Sequence, residues 1–255
     1  MGIADLVPGI SGGTIALITG IYDELIKSIT QATYLPQKIM NGEFKAILKL
    51  NYKFLIPLFL GIVTALLLGA RLMSYLLLTY PSQTYSLFIG LILASIYFLS
   101  KKYVKETKAS IGMIFGFMLG IILSIIAFNL PTPGLGLTFG LGFIAITAMI
   151  LPGISGSYIL LMLGQYEYAI NLVSGLPGTW IPALIFIIGC VFGLLVFSRL
   201  IYYLLKNYSA QTHGALVGLM FGALIVPIKL VIEVGFEIYS LLFLILGLLL
   251  IKFMK

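Results

Sequence analysis

Charge is what this sequence has least of. Only 9% of its 255 residues are Asp, Glu, Lys or Arg, against about 25% in a soluble domain. With 61% hydrophobic residues and a mean hydropathy of +1.16, the balance is that of an integral membrane protein. Cysteine is nearly missing, and Cys190 alone excludes a disulfide framework and a cysteine-based metal site. The single histidine, His213, argues likewise against a His-rich metal centre, and no cofactor is implied. Arginine occurs only twice, as Arg71 and Arg199, beside thirteen lysines. The net charge of +7 does not point to nucleic acid, because the lysines lie in short loops between apolar runs. No cleavable signal peptide is expected, since Asp5 and a Pro-Gly pair follow Met1 almost at once.

What the chain does have is a repeated break. Pro-Gly-Ile-Ser-Gly occurs at 8–12 and again at 152–156. At the same offset of 144, Ala4, Ile15, Leu17, Gly20 and Tyr22 recur as Ala148, Ile159, Leu161, Gly164 and Tyr166. Each copy interrupts an apolar stretch, about 2–21 and 137–166, where Pro-Gly must break a helix. Six uninterrupted runs, 54–79, 83–100, 110–129, 180–201, 211–228 and 236–253, are apolar enough to cross a bilayer, which takes about 20 residues.

The lysines orient these runs. Lys27, Lys38, Lys45, Lys49 and Lys53 follow the first broken stretch, and Lys101, Lys102, Lys105 and Lys108 separate the second and third spans. Positive loops stay cytoplasmic, and two spans between those loops satisfy the rule. The uncharged loops 129–136 and 171–179 then fall outside, and Arg199, Lys206, Lys252 and Lys255 finish inside. Only Lys229 and Arg71 break the rule. Making both broken stretches full crossings would put Lys206, Lys252 and Lys255 outside. The sequence therefore predicts two re-entrant hairpins, with both termini cytoplasmic.

A second repeat, at an offset of 128, pairs 71–91 with 199–219, and so Arg71 with Arg199, Tyr75 with Tyr203 and Gln83-Thr84 with Gln211-Thr212. The predicted fold is an all-α membrane protein in a single domain, 1–255. Its two halves, 1–130 and 131–255, each hold one hairpin and three spans. An odd number of crossings per half forces an inverted repeat, a pseudo-dimer within one chain. The first hairpin has seven residues before its break, against roughly fifteen in the second.

The breaks are the first candidate site. Ser11 can cap a half-helix whose next amides belong to Gly12, Gly13 and Thr14, and Ser155, Gly156 and Ser157 repeat the arrangement. Helix N-termini attract anions; the competing reading is a pair of kinks made for packing. Arg71 and Arg199 are repeat equivalents inside or near apolar runs. They either snorkel to opposite interfaces or hold an oxyanion, the role that suits arginine's planar fork. Asp23 and Glu167 each follow a Gly-x-Tyr at a hairpin end, and Asp5 precedes the first break where the second has Met149. These acids either mark interfacial helix ends or take part in coupling to protons or another ion. His213, standing where the first half has Tyr85, reads as a packing or interfacial residue.

The segments Gly2-Ile-Ala-Asp-Leu-Val-Pro-Gly-Ile-Ser-Gly-Gly-Thr and Leu151-Pro-Gly-Ile-Ser-Gly-Ser-Tyr resemble the bacterial polyprenyl-phosphate transporter family, over essentially the whole chain. The resemblance implies a non-enzymatic flippase of the bacterial cytoplasmic membrane that recycles undecaprenyl phosphate, or a related anionic lipid. It implies that Ser11, Gly12, Gly13, Thr14, Ser155, Gly156 and Ser157 cradle the phosphate and that Arg71 and Arg199 neutralise it. The alternative is a small-anion channel or ion-coupled anion transporter. Membrane lipids are expected neighbours in either case.

Overall fold

A computed structural model describes residues 1–7, 10–126, 130–174 and 177–251. Pro8 and Gly9 of the first break lie outside the described residues, as do Lys252 and Lys255. The regular secondary structure described is helical. The first half holds α1 (Gly2–Asp5), α2 (Gly12–Ile18), α3 (Tyr22–Thr33), α4 (Leu35–Met40), α5 (Lys45–Leu48), α6 (Tyr52–Thr79), α7 (Pro81–Tyr103) and α8 (Thr107–Ile125). The second holds α9 (Leu135–Ile150), α10 (Gly156–Met162), α11 (Tyr166–Ser174), α12 (Trp180–Asn207), α13 (Ser209–Ala223), α14 (Ile225–Val234) and α15 (Ile238–Leu250).

Among the described residues, five helical runs are long and apolar enough to cross a membrane: part of α6, then α7, α8, α12 and the stretch 209–234. The last of these extends beyond the expected 211–228 and divides at Leu224. Pro227, which has no N–H to return to the carbonyl four residues back, gives the physical reason. The expected span at 236–253 forms α15, a shorter helix of 13 residues. The lysine-rich stretch 22–53 contains three short helices, and α3 lies against α12, with the Thr30 hydroxyl donating to the Ser198 carbonyl at 3.0 Å.

The second broken stretch folds back on itself. α9 has 16 residues and α10 seven, about 24 and 10 Å at 1.5 Å per residue, so neither alone spans about 30 Å of hydrocarbon. Gly156, the first residue of α10, packs against the Ala145 carbonyl of α9. At the far end the Leu130 amide donates to the Leu163 carbonyl at 3.2 Å, and Gln165 Nε2 donates to the Leu130 carbonyl at 2.8 Å. The chain thus leaves the hairpin beside the point where it arrived.

Packing is backbone to backbone. Gly112, Gly116 and Gly120 of α8 face Gln211, Ala215 and Leu219 of α13, while Gly214, Gly218 and Gly222 of α13 face Ala109, Met113 and Phe117 of α8. Two small-residue stripes at four-residue spacing therefore interlock, the arrangement that brings helices close where lipid offers no hydrophobic drive. Gly90 and Gly247 join α7 to α15 in the same way, and Gly142, Gly189 and Gly193 join α9 to α12. α7 and the 209–234 run form the buried centre, while α6, α8 and α12 turn most of their surface outward. The core collects Val7, Ile10, Leu17, Tyr22 and Ile26 around Val217 and Met220.

Candidate functional site

The residues that follow the first break meet the second break inside this core. Helix α9 ends at Ile150, and a helix end leaves carbonyls without partners. Non-helical backbone at membrane depth must find them within the protein. Here the first hairpin supplies them. Ser11 Oγ lies 3.2 Å from both the Met149 and Leu151 carbonyls, and Tyr22, fully buried, donates its hydroxyl to the Ile150 carbonyl at 3.2 Å. In return the Gly153 amide donates to Thr14 Oγ1 at 2.8 Å. Gly153 has φ +91° and presses on the Met220 backbone, so a side chain there is excluded twice. Gly13 lies against the Ile150 carbonyl, where a Cβ would sit at 2.9 Å.

The N-terminus of α2 is satisfied from within the chain. The Gly12 amide donates to Asp5 Oδ1 at 2.7 Å, the Gly13 amide to Ser11 Oγ at 3.0 Å, and the Thr14 amide to the Ser11 carbonyl at 3.0 Å. A carboxylate thus occupies the place where a helix dipole draws an anion. At the second break Met149 stands where Asp5 would be, and α10 has no side-chain cap. Ser155 Oγ instead bonds Ser157 Oγ at 2.7 Å, and the Tyr158 hydroxyl donates to the Ser124 carbonyl at 3.0 Å. Ser155, Tyr158, Ser124 and Gly153 line a cavity of about 10 Å³. That is room for about one water, so a phosphate enters only if the helices part.

The arginines lie apart from this junction in their described bonds. Arg199 Nε donates to Thr33 Oγ1 at 3.0 Å and Nη2 to the Thr33 carbonyl at 2.7 Å, with the guanidinium 4.1 Å above the Tyr34 ring. Arg71 is exposed on α6, two residues beyond Gly69, which touches Leu6 just ahead of the first break. Asp23 Oδ1 is 3.2 Å from Nε2 of His213, which is buried and stacked on Tyr103 with ring centres 4.1 Å apart. Glu167 is exposed. Among the described residues no group of three or more His, Cys, Asp or Glu could hold a metal ion.

Sequence reasoning therefore located the breaks but not the bonds between them. The sequence points to the Thr14 amide, whereas its hydroxyl makes the contact, and it marks Tyr22 only by its repeat match with Tyr166. The His213–Asp23 pair, 190 residues apart in the chain, left no local signal. The interlocking glycines did leave one, their four-residue spacing.

Residues 1–238 match the model of a family described as undecaprenyl phosphate translocase-like. A polyprenyl-phosphate transporter of Vibrio cholerae serotype O1 is 41% identical over 235 residues, covering 88% of this chain and 73% of that protein. A polyprenyl-phosphate transporter of Staphylococcus aureus is 32% identical over 241 residues, covering 88% of this chain and 81% of that one. No solved structure matches the chain.

Proposed function

The chain belongs to the undecaprenyl phosphate translocase-like family, and we infer from this that it is a multi-pass carrier that moves polyprenyl phosphate between the leaflets of a bacterial cytoplasmic membrane. The substrate class rests on the family and on the two relatives. The mechanism rests on one observation: Ser11, Thr14 and Tyr22 of one broken hairpin bond the backbone of the other.

In this reading the two halves, 1–130 and 131–255, form an inverted repeat, the hairpins re-enter from opposite faces, and both termini are cytoplasmic. Opposed packing supports it: α1 lies on α6 as α9 lies on α12, and α8 pairs with α13 as α15 pairs with α7. The junction of the breaks is the closed gate. Opening it exposes Ser11, Gly12, Gly13 and Thr14 on one side and Ser155, Gly156 and Ser157 on the other, so that their amides and hydroxyls receive the phosphate. Asp5 and the phosphate compete for the Gly12 amide, so Asp5 must swing away or take up a proton. That exchange couples headgroup binding to charge, with Asp23 and Glu167 as further titratable groups at the hairpin ends. Arg71 and Arg199 neutralise the phosphate as it approaches and leaves, Arg199 first giving up its hold on Thr33. Only the headgroup needs a polar passage, and the prenyl chain stays in apolar surroundings. No covalent step is required.

The test is turnover of undecaprenyl phosphate in proteoliposomes, with and without a pH gradient. Arg71→Lys or Arg199→Lys slows turnover, and the double change Arg71→Ala/Arg199→Ala slows it further. Full turnover by the double variant would remove the arginines from the mechanism. Flux of small anions through vesicles that contain no polyprenyl phosphate would replace the carrier by a channel.

A further inference from the structure

We propose that the cleft between α8 and α12, floored by α13, seats the first isoprene units of the substrate's prenyl chain, with Lys108 facing the phosphate at its mouth. This deepens the transporter reading and rests on it. The cleft measures about 630 Å³, within the range of about 300–1,000 Å³ typical of ligand pockets. It exists because α8 and α13 are drawn together through their glycines, while α12, which joins α13 through Tyr208, forms the opposite wall. Phe115 on one wall and Leu200 on the other are exposed, and Ala215 forms part of the floor. Its three helices belong to runs long and apolar enough to cross a membrane, so the cleft opens to acyl chains rather than to water.

Two features identify the occupant. At one end the lining includes Leu151, next to the Pro152-Gly153 break that Thr14 grips, so the cleft runs to the gate itself. At the other end lie Tyr208 and Gln211. Lys108 is exposed and stands one turn before Ile111 and Gly112 of the lining, so helical spacing puts it on the same face of α8, toward that end. Lys105 is its neighbour and Glu106, the N-cap residue, is the opposing charge, leaving the mouth net positive. From Gln211 to Leu219 the floor is nine residues, a rise of about 12 Å at 1.5 Å per residue. The first isoprene units behind an anionic head fit a trough of this length, with the phosphate held at the cation before the gate opens at the other end.

The experiment uses undecaprenyl phosphate carrying a photoreactive diazirine in its chain, in proteoliposomes of the full chain, with labelled peptides mapped and turnover measured in the same vesicles. Labelling is expected at Phe115, Leu200 and Leu204. It should fall roughly tenfold in Ala215→Phe, since losing two buried methylene contacts already suffices. Leu200→Trp fills the cleft from the outer wall and keeps the test valid if Ala215→Phe fails to fold. Lys108→Gln should weaken labelling by the phosphate but not by the uncharged polyprenol. Labelling elsewhere with normal turnover overturns the cleft and leaves the transporter reading intact. Competition by phosphatidylglycerol equal to that by unlabelled substrate also overturns it, making the cleft a general lipid seat. Labelling in the cleft without turnover supports the seat and refutes transport, and neither labelling nor turnover refutes both.

Discussion

Replacing Gly116 by alanine adds one methyl group at the tightest point between α8 and α13. The new Cβ would stand 1.9 Å from the Ala215 carbonyl oxygen, where real contacts do not fall below 3.0 Å. The atom opposite is backbone, so no side chain can rotate away, and the helices must part by about 1 Å. Such a gap forfeits a quarter to a half of each dispersion contact along the seam. Gly218 sits equally close to the Met113 carbonyl on the same seam, so the shift spreads. Overpacking of this kind costs about 1–3 kcal/mol, or roughly 2–12 °C of Tm for a chain of this size. The matched control is Gly140→Ala in α9, where nothing lies within 4 Å and helix propensity favours alanine by up to about 1 kcal/mol. Thermal unfolding of the purified protein in detergent compares the two. If Gly116→Ala is as stable as Gly140→Ala, the backbone-to-backbone seam is wrong.

Other changes probe the gate and its surroundings. Thr14→Val keeps the shape but leaves the buried Gly153 amide without an acceptor, a loss of about 1–3 kcal/mol; an unchanged unfolding midpoint would refute the bond. Tyr22→Phe removes the donor to the Ile150 carbonyl, with a loss of the same size, and a phosphate-independent rise in hydrogen exchange at residues 149–153 should accompany it. Asp5→Asn removes the charge that competes for the Gly12 amide and should tighten binding of polyprenyl phosphate in a direct binding assay; weaker binding would mean that Asp5 helps to hold the substrate. His213→Ala deletes a buried ring stacked on Tyr103 and frees Asp23. A cost of about 2–4 kcal/mol is expected from large-to-small changes of this kind, and a neutral result would deny the pair a structural role.

Much of the fold was legible because its signals are local. A Pro-Gly pair inside an apolar run ends a helix wherever it falls, so the break between α9 and α10 could be read directly. Run length and hydropathy located α6, α7, α8 and α12, whose lipid-facing surfaces must be apolar whatever they pack against. The division at Leu224 was missed because Pro227 lies near the end of an otherwise uniform run. The site was legible only in part. Ser11 and Gly12 stand out by repetition, with Gly13 and Thr14 beside them, but Ser11 and Thr14 find their partners in backbone carbonyls and an amide more than 130 residues away, and backbone atoms carry no sequence label. Asp5 is visible in the sequence as an asymmetry between the breaks, where the second copy has Met149. Its bond to the Gly12 amide depends on how a turn folds, which composition does not encode. Arg199 was singled out for its rarity, and the Thr33 and Tyr34 contacts that hold it come from α3 and its C-cap, a stretch read only as lysine-rich loop.

The central claim is that the junction of the two breaks opens during transport. It is tested by joining them. In a Cys190→Ser background, Ser11→Cys and Leu151→Cys place thiols on the two sides of a contact now made by Ser11 Oγ at 3.2 Å from the Leu151 carbonyl. A short, reducible thiol crosslinker then ties the hairpins together, and leaflet-resolved turnover of undecaprenyl phosphate is followed in proteoliposomes. Turnover should stop on crosslinking and return on reduction, while each single cysteine variant, treated identically, keeps its rate. Undiminished turnover by the fully crosslinked protein would contradict the account, because the substrate would then cross with the gate shut.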